Sequence, residues 1–526
     1  MRSAVLSVVL IAGMLGVAAA QQRSASLASP VAAPDVRFAR PAAEGVWYEI
    51  FVRSFRDSDG DGIGDLAGVT SRLPYLDELG IDGIWLTPIH PASSYHGYDV
   101  TDYMGVATEY GELSDLETLV AAAHARGIRV VLDLVPNHTS RDHPWFQAAL
   151  AGDQEARERY VWRASDPGWV GLGGPAWHPA GDAFYLGLFG SGMPDLNHDG
   201  PWVRNELKRI MRFWLERGVD GFRVDAIQHI VESEEGIVAG TPGTLAWVRE
   251  MQAWLHHVAP HAFWLGETYA LSAPTVAAYH HDGDLDMSLD YPGWAALFDA
   301  LSQRSAGPLE TALEQNAGLY PPQARRAVFS ANHDQIRPAS VLGVLRRDEA
   351  RLKLIAGLLA TLPGTPLLYY GQEIGLPNGP GDRDEQKRTP MTWSAAPGRG
   401  FSDAEPWIAF STDDPALSVE AQRADPDSLW STYRTLIAAR RGLPALTRGT
   451  TRLLRPEAPQ LLVFVRQEGG ERLLVVANLG VRPAVLAASE RPGAPAETVH
   501  GAPVGEADWE IEGLGLRIVR LAGSAD

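Results

Sequence analysis

The 526-residue chain contains no cysteine. That excludes a disulfide framework, a thiolate nucleophile and a cysteine-ligated zinc site, and leaves oxygen and nitrogen groups to carry any chemistry. Positive charge is also scarce: 45 Lys and Arg against 65 Asp and Glu leave a formal charge of −20. Such a field repels phosphate backbones and anionic lipid, so no nucleic acid partner is expected. Beyond the first twenty residues no uninterrupted apolar run is long enough for the ~30 Å of a bilayer core. No repeat of solenoid length is present. What is present is the composition of a packed protein, 45% hydrophobic and 9% aromatic, in a chain longer than one ordinary domain.

The first residues read as an address. Arg2 supplies a positive start, Ala4 to Val17 is apolar and uncharged, and Ala18-Ala19-Ala20 offers the small residues a signal peptidase needs. A signal peptide over 1–20 implies secretion or a periplasmic location, with no membrane association after cleavage. The stretch 21–40, rich in Ser, Ala and Pro with Pro30 and Pro34, reads as a linker leading into the fold at Pro41.

From Val46 onward, short β-forming apolar runs alternate with longer stretches of helical periodicity. The candidate strands are Val46–Val52, Gly83–Thr87, Arg129–Val135, Gly221–Asp225, Phe263–Gly266, Leu285–Leu289, Ala327–Ser330 and Pro366–Tyr370. Eight βα units are the recipe for a closed (β/α)8 TIM barrel of the α/β class, expected over 41–443. An open doubly wound sheet is disfavoured because no glycine-rich phosphate turn follows any of these strands. The connection 137–199, rich in Gly, Pro and Trp, is too long for a simple crossover and reads as a small inserted domain. After a helical stretch Leu429–Arg440 the pattern changes to short alternating strands, Leu461–Arg466 and Arg472–Ala477, joined by Gly469-Gly470. A C-terminal antiparallel β-sandwich domain is expected over 444–526.

In such a barrel the functional residues lie at the C-terminal ends of the strands. There the sequence places Asp133-Leu134-Val135-Pro136-Asn137-His138, Gly221-Phe222-Arg223-Val224-Asp225, Gly266-Glu267-Thr268 and Asn332-His333-Asp334. Asp225 alone would more often be a helix cap or a salt-bridge partner. Several carboxylates converging on one rim repel when ionised, however, an arrangement that catalytic separation of their pKa values explains better than stability does.

These segments, in this order, resemble those of the α-amylase superfamily, glycoside hydrolase family 13, as do His229, Tyr95-His96-Gly97-Tyr98 and Met193-Pro194-Asp195-Leu196-Asn197. The resemblance spans about residues 45 to 525. It implies Asp225 as nucleophile, Glu267 as proton donor and then base, and Asp334 as the carboxylate that holds the sugar hydroxyls, in a retaining mechanism. Acetal cleavage needs this division, since charge must be stabilised at the anomeric carbon while a proton reaches the departing oxygen. Arg223, two residues before Asp225, shares its sheet face and would hold the nucleophile ionised. His138, His333 and His96 resemble hydroxyl-binding histidines, with His229 beside them in the matched set. Tyr98 resembles the platform on which the reacting glucose stacks. Asp99 would bind a terminal hydroxyl, as in oligosaccharide-trimming branches of the superfamily.

Asp57-Ser58-Asp59-Gly60-Asp61-Gly62-Ile63-Gly64-Asp65 places carboxylates at alternate positions around turn-forming glycines, the front half of an EF-hand-like loop. Oxygen ligands favour calcium or magnesium. The resemblance, here to oligo-1,6-glucosidase-type relatives, implies one Ca2+ held by Asp57, Asp59, Asp61, Ile63 and Asp65; a solvated acidic turn is the alternative. Asn137 resembles the residue through which many members bind a second calcium.

The Met193–Asn197 segment and His229 point to an α-amylase acting on α-1,4-glucans or maltooligosaccharides, and that is the leading expectation. Gln228 departs from the amylase pattern, where Lys or Arg commonly precedes the histidine. Arg388, within Arg383 to Trp393, is similar to the α-glucosidase pattern and would close the non-reducing end. An exo-acting α-glucosidase, an oligo-1,6-glucosidase or a glucan-transferring relative is therefore the alternative. A non-catalytic sugar-binding protein is disfavoured because all three carboxylates are present. A monomer is expected.

Overall fold

The computed structural model describes residues 27–523 apart from 35, 37, 234, 282–284, 322–323 and 342–348. The signal peptide expected over 1–20 lies outside the described residues. Eight parallel strands close into a barrel: β1 (Trp47–Ile50), β2 (Gly83–Leu86), β3 (Arg129–Leu134), β4 (Gly221–Val224), β5 (Phe263–Gly266), β6 (Met287–Leu289), β7 (Arg325–Val328) and β8 (Thr365–Tyr369). Closure is made by Trp47 of β1, which lies beside Gly83 on one side and Leu367 of β8 on the other. Gly83 is required there, because a Cβ at that position would come within 2.7 Å of the Trp47 indole.

Period-two alternation sorts the side chains of each strand. Trp47, Trp85, Val131, Phe263, Leu265, Met287, Leu289, Ala327 and Leu367 form one core inside the barrel. Their neighbours Tyr48, Ile84, Val130, Leu132, Phe222, Val224 and Trp264 join a second core between barrel and helices. Side chains filling the inside turn the strand ends into a floor. The loops above that floor are anchored by helix caps: Asp65 accepts from Gly68 N to start Leu66–Leu79, and Asp290 accepts from Gly293 N to start Tyr291–Gln303.

After β3, the strands Trp162–Arg163, Ala183–Leu186 and Trp177–Ala180 form a small antiparallel sheet. It is tied to the barrel rim by a bridge between His138 and Asp195. Helix Leu429–Gly442 is followed by a short helix, Pro444–Thr447, and β-structure begins at Thr450. A five-stranded antiparallel sheet and a two-stranded one then pack Val463, Val465, Leu474 and Val476 against Leu486, Trp509 and Ile511. Gly469-Gly470 is the hairpin turn, flanked by the pair Glu468 and Glu471.

The stretch expected as a linker is instead docked over its described part. Val31 is buried and its N–H donates to Val258 O at 2.7 Å; Trp254 Nε1 donates to Leu27 O at 2.9 Å. The Arg129 guanidinium lies over the Phe38 ring at 3.9 Å and donates to Arg40 O at 2.7 Å. A Ser, Ala and Pro-rich composition hid these few anchoring side chains. Among the described residues no helix is long and apolar enough to cross a membrane.

Candidate active site

The site is organised around Arg223, which projects from the inner face of β4 and is fully buried. Its Nη1 lies 2.9 Å from Asp133 Oδ1 and 2.6 Å from Asp225 Oδ1, and its Nη2 lies 2.8 Å from Glu267 Oε2. One guanidinium thus draws three carboxylates from β3, β4 and β5 to one spot. The strand register puts them there: Arg223 is level with Asp133 on one side and Leu265 on the other, so Asp225 and Glu267 each emerge just above their strand. Glu267 is held further by the Ala226 N–H at 3.0 Å and the Tyr291 hydroxyl at 3.3 Å. Ala226 adopts a left-handed conformation, φ 45°, unusual for a residue with a Cβ.

Asp334 completes the group from the loop after β7. Its Oδ1 accepts from Arg388 Nη2 at 2.9 Å and its Oδ2 lies 3.2 Å from His333 Nε2. Arg388, itself buried, also donates to Tyr95 OH at 2.9 Å and to His333 O at 3.1 Å. Tyr98 stacks on His333 with ring centres 5.3 Å apart, and its hydroxyl donates to Asp133 Oδ2 at 2.9 Å. His96 stacks on Tyr98 with ring centres 6.0 Å apart.

These contacts set the charges. Burial pushes Asp225 well above its ordinary range; Arg223 opposes the shift, and Glu267, Asp133 and Asp334 add to it. Burial likewise lifts Asp133 to about 6, against the pull of Arg223. Burial would raise Asp334 too, but His333 and Arg388 hold it well below the usual carboxylate range. His138 is driven down to about 3 by burial. It is thus a neutral ring packed on Phe189 at 5.0 Å, with Nε2 left without a partner.

The structure therefore brings Asp225, Glu267, Asp334, Arg223, Tyr98, His96, His333 and Arg388 together. Two expected substrate groups also bond to protein. His229 has Nδ1 2.6 Å from Val238 O and Nε2 2.9 Å from Gln228, so both ring nitrogens face protein. Asp99 accepts from Ser94 N and Oγ, closing its own loop. Three members of the site were not anticipated as such: Asp133, Tyr291 and Glu49, whose Oε1 lies 2.6 Å from His333 Nδ1. The signal for Glu49 was a single carboxylate at an inward position of an otherwise apolar strand.

In the acidic loop, carboxylate oxygens of Asp57, Asp59 and Asp61 lie within 4.8 Å of one another. Partial burial raises Asp61, with Asp59 and Asp57 adding to the effect. Asp65 stands apart as the helix cap already described, both oxygens accepting from Ser58 and Gly68. Near the inserted sheet, Asp195 Oδ2 and Glu232 Oε1 are buried without a partner. Burial raises both carboxyls, Glu232 to about 7, and Glu232 raises Asp195 further, with Asn137 beside it opposing.

Comparison with known proteins shows the family. Residues 49–449 match the model of the α-amylase catalytic domain. Alpha-amylase 3 of Dictyoglomus thermophilum is 34% identical over 82% of this chain and 84% of its own. The trehalose-6-phosphate hydrolase of Escherichia coli is 34% identical over 83% and 90%. The crystal structure of the trehalulose synthase from Pseudomonas mesoacidophila MX-45 superposes with a TM-score of 0.82 at 28% identity, covering 91% of this chain and 99% of that one. The chain belongs to the α-amylase superfamily, glycoside hydrolase family 13, and is built as one of its glycoside-cleaving or glucosyl-transferring enzymes.

Proposed function

We propose that the protein acts on the terminal glucosyl unit of short α-glucosides, by hydrolysis or by passing that unit to a second sugar, rather than chiefly as an endo-acting α-amylase. One observation carries this reading. Arg388 spans from Asp334 to Tyr95, and Tyr95 stacks on Trp407 at 5.3 Å. The loops after β2 and β8 are thereby joined beside the third carboxylate. A long glucan chain needs an open cleft on both sides of the reacting bond; a wall at one end admits only a chain terminus. The hydrolase and the synthase named above bear names of small-sugar enzymes, which supports the same choice.

In this reading the Asp225 carboxylate attacks the anomeric carbon while Glu267 gives its proton to the departing oxygen, leaving a glucosyl ester on Asp225. Glu267 then takes a proton from water or from an acceptor hydroxyl, which displaces Asp225. The bridging guanidinium keeps the two carboxyls close, as the retaining separation of about 5–5.5 Å requires. Tyr98 and His333 would face the sugar ring, with Asp334 and the unpartnered His138 Nε2 taking hydroxyls.

We further infer that Asp57, Asp59 and Asp61 hold a calcium ion: three carboxylates whose oxygens lie within 4.8 Å of one another are hard donors suited to a divalent cation. The buried, unpartnered oxygens of Asp195 and Glu232, with the Asn137 side chain beside Asp195, would suit the second calcium. Bound calcium would supply counter-charge and fix loops, with no part in the chemical step. Export through the N-terminal signal accords with the sequence.

The test is the time course of products from maltoheptaose, maltose, trehalose and isomaltose. Stepwise release of glucose, or formation of new disaccharides, is expected. Random shortening of maltoheptaose with little action on disaccharides would favour the endo-acting reading.

A further inference from the structure

Glu49 lies inside β1, where Trp47 and Ile50 are apolar and the whole strand is buried. Its Oε1 receives two hydrogen bonds from one residue, His333 N at 3.1 Å and His333 Nδ1 at 2.6 Å. Its Oε2 has no partner. Neither side chain has any exposure. An uncompensated buried carboxylate is expensive, so a barrel strand that keeps one needs a cation for it.

The hydrogen-bond pattern identifies that cation. A tyrosine hydroxyl has one proton, and Tyr98 gives its proton to Asp133 Oδ2 at 2.9 Å. The same oxygen lies 2.7 Å from His333 Nε2 and 3.3 Å from Arg223 Nη1. With its proton spent on Asp133, the Tyr98 oxygen accepts from both, so Nε2 carries a hydrogen. Nδ1 carries one as well, because Glu49 Oε1 can only accept from it. A bare Nε2 lone pair would also face Asp334 Oδ2 at 3.2 Å, lone pair against carboxylate.

We propose that Glu49 is a positioning residue that keeps His333 a doubly protonated imidazolium, so that its Nε2–H remains available to Asp334 and to a sugar hydroxyl. The inference rests on the assignment of Asp334 and His333 to substrate binding. Charged or titratable groups face His333 from several elements: Glu49 of β1, Asp133 of β3 with Tyr98 and His96 above β2, Asp334 beside it, and Arg388 from the loop after β8, with Arg223 of β4 behind Tyr98 and Tyr369 of β8 behind Glu49 and Arg388. Burial alone would lower the imidazole, yet Asp334 and Glu49 lift it to about 10. The raised value means that the charged form persists through neutral and mildly alkaline pH. Removing the Glu49 charge takes away one of the two largest contributions that oppose burial, so the proton is lost as pH rises through a lower value.

Glu49→Gln keeps an acceptor for both His333 N–H groups and deletes only the charge. In the full-length protein its kcat/KM on a chromogenic α-glucoside should fall with a new descending limb between pH 7 and 9. The deficit relative to wild type at pH 9 should be at least about tenfold larger than at pH 6, one pH unit of displacement being a factor of ten. Glu49→Asp should move the limb back toward higher pH. Independently of any substrate, 15N-histidine NMR of the wild-type protein should show His333, assigned by its loss in His333→Asn, as imidazolium up to pH 9. In Glu49→Gln it should become neutral at lower pH. A neutral wild-type His333 at pH 7 would overturn the proposal even if no variant folds. So would an activity loss in Glu49→Gln that is the same at every pH. Should the chain prove inactive on α-glucosides while the NMR titration behaves as expected, the substrate assignment fails and the role of Glu49 stands.

Discussion

Replacing Arg223 by Met tests the central charge arrangement, because stability and activity should then respond to pH in opposite directions. The guanidinium touches Asp133, Asp225 and Glu267 at 2.9, 2.6 and 2.8 Å in a fully buried setting. Removing one partner from a buried ionic cluster costs about 3–5 kcal/mol, since charge is left uncompensated. Shared over three carboxylates, that is about 1–1.7 kcal/mol each, close to the ~1.4 kcal/mol that moves a titration by one pH unit. Asp225 is already pushed up by burial, and Arg223 is what opposes the shift. In Arg223→Met the proposed nucleophile, Asp225, should therefore ionise about one pH unit higher, and the acid limb of kcat/KM should move up with it. Stability follows the other sign. A carboxyl whose folded-state pKa is raised above its unfolded value favours folding at low pH, and that contribution is lost as pH rises through the raised value. The Tm deficit of the variant should accordingly be larger at pH 8 than at pH 5, while its relative activity is better at pH 8. Thermal melts at both pH values and a kcat/KM profile from pH 4 to 10 decide the matter. A uniform activity loss with an unchanged limb, or an equal Tm deficit at both pH values, would refute the electrostatic role.

Three further outcomes are expected. Glu267→Gln should lose about 10²–10⁴ in kcat, the range for a positioned acid and base, with melting close to wild type, as read by glucose release and calorimetry. Chelation of calcium should lower Tm, a site filled at about 100 times its Kd contributing ~2.7 kcal/mol, and Asp59→Ala should shrink the response to EDTA to what the second site contributes. Val31→Asp, which places a charge where the docked N-terminal segment is buried, should cost at least the ~1.5–3 kcal/mol of the lost apolar burial, measured by urea denaturation of the full chain.

The parts of the molecule that were legible in the sequence are those fixed by local rules. Each barrel strand is a short apolar run bounded by turn residues, so all eight were found, most with ends misplaced by one or two residues. Leu285–Leu289 shortens to Met287–Leu289 because Asp286 leaves the ladder and accepts from Trp264 N. Asp225, Glu267 and Asp334 were legible because strand ends and period two fix where a side chain emerges. The inserted strands were not individually legible, since pairs such as Trp162–Arg163 and Val170–Gly171 are too short to show a period. Asp65 was read with the acidic loop because a metal ligand and a helix cap ask for the same residue; only the helix beginning at Leu66 separates the two uses. The end wall is harder still. Tyr95 and Arg388 are 293 positions apart, and neither residue alone implies that they meet beside Asp334. Two loops grown from different strands meet beside Asp334, so the proposed limit on substrate length would depend on how those loops meet, a long-range feature that no local periodicity encodes. The chemistry of bond cleavage depends on positions the barrel itself dictates. That difference explains why the positions of the rim carboxylates could be read from the sequence while the proposed preference for a chain end rests on the Arg388 bridge.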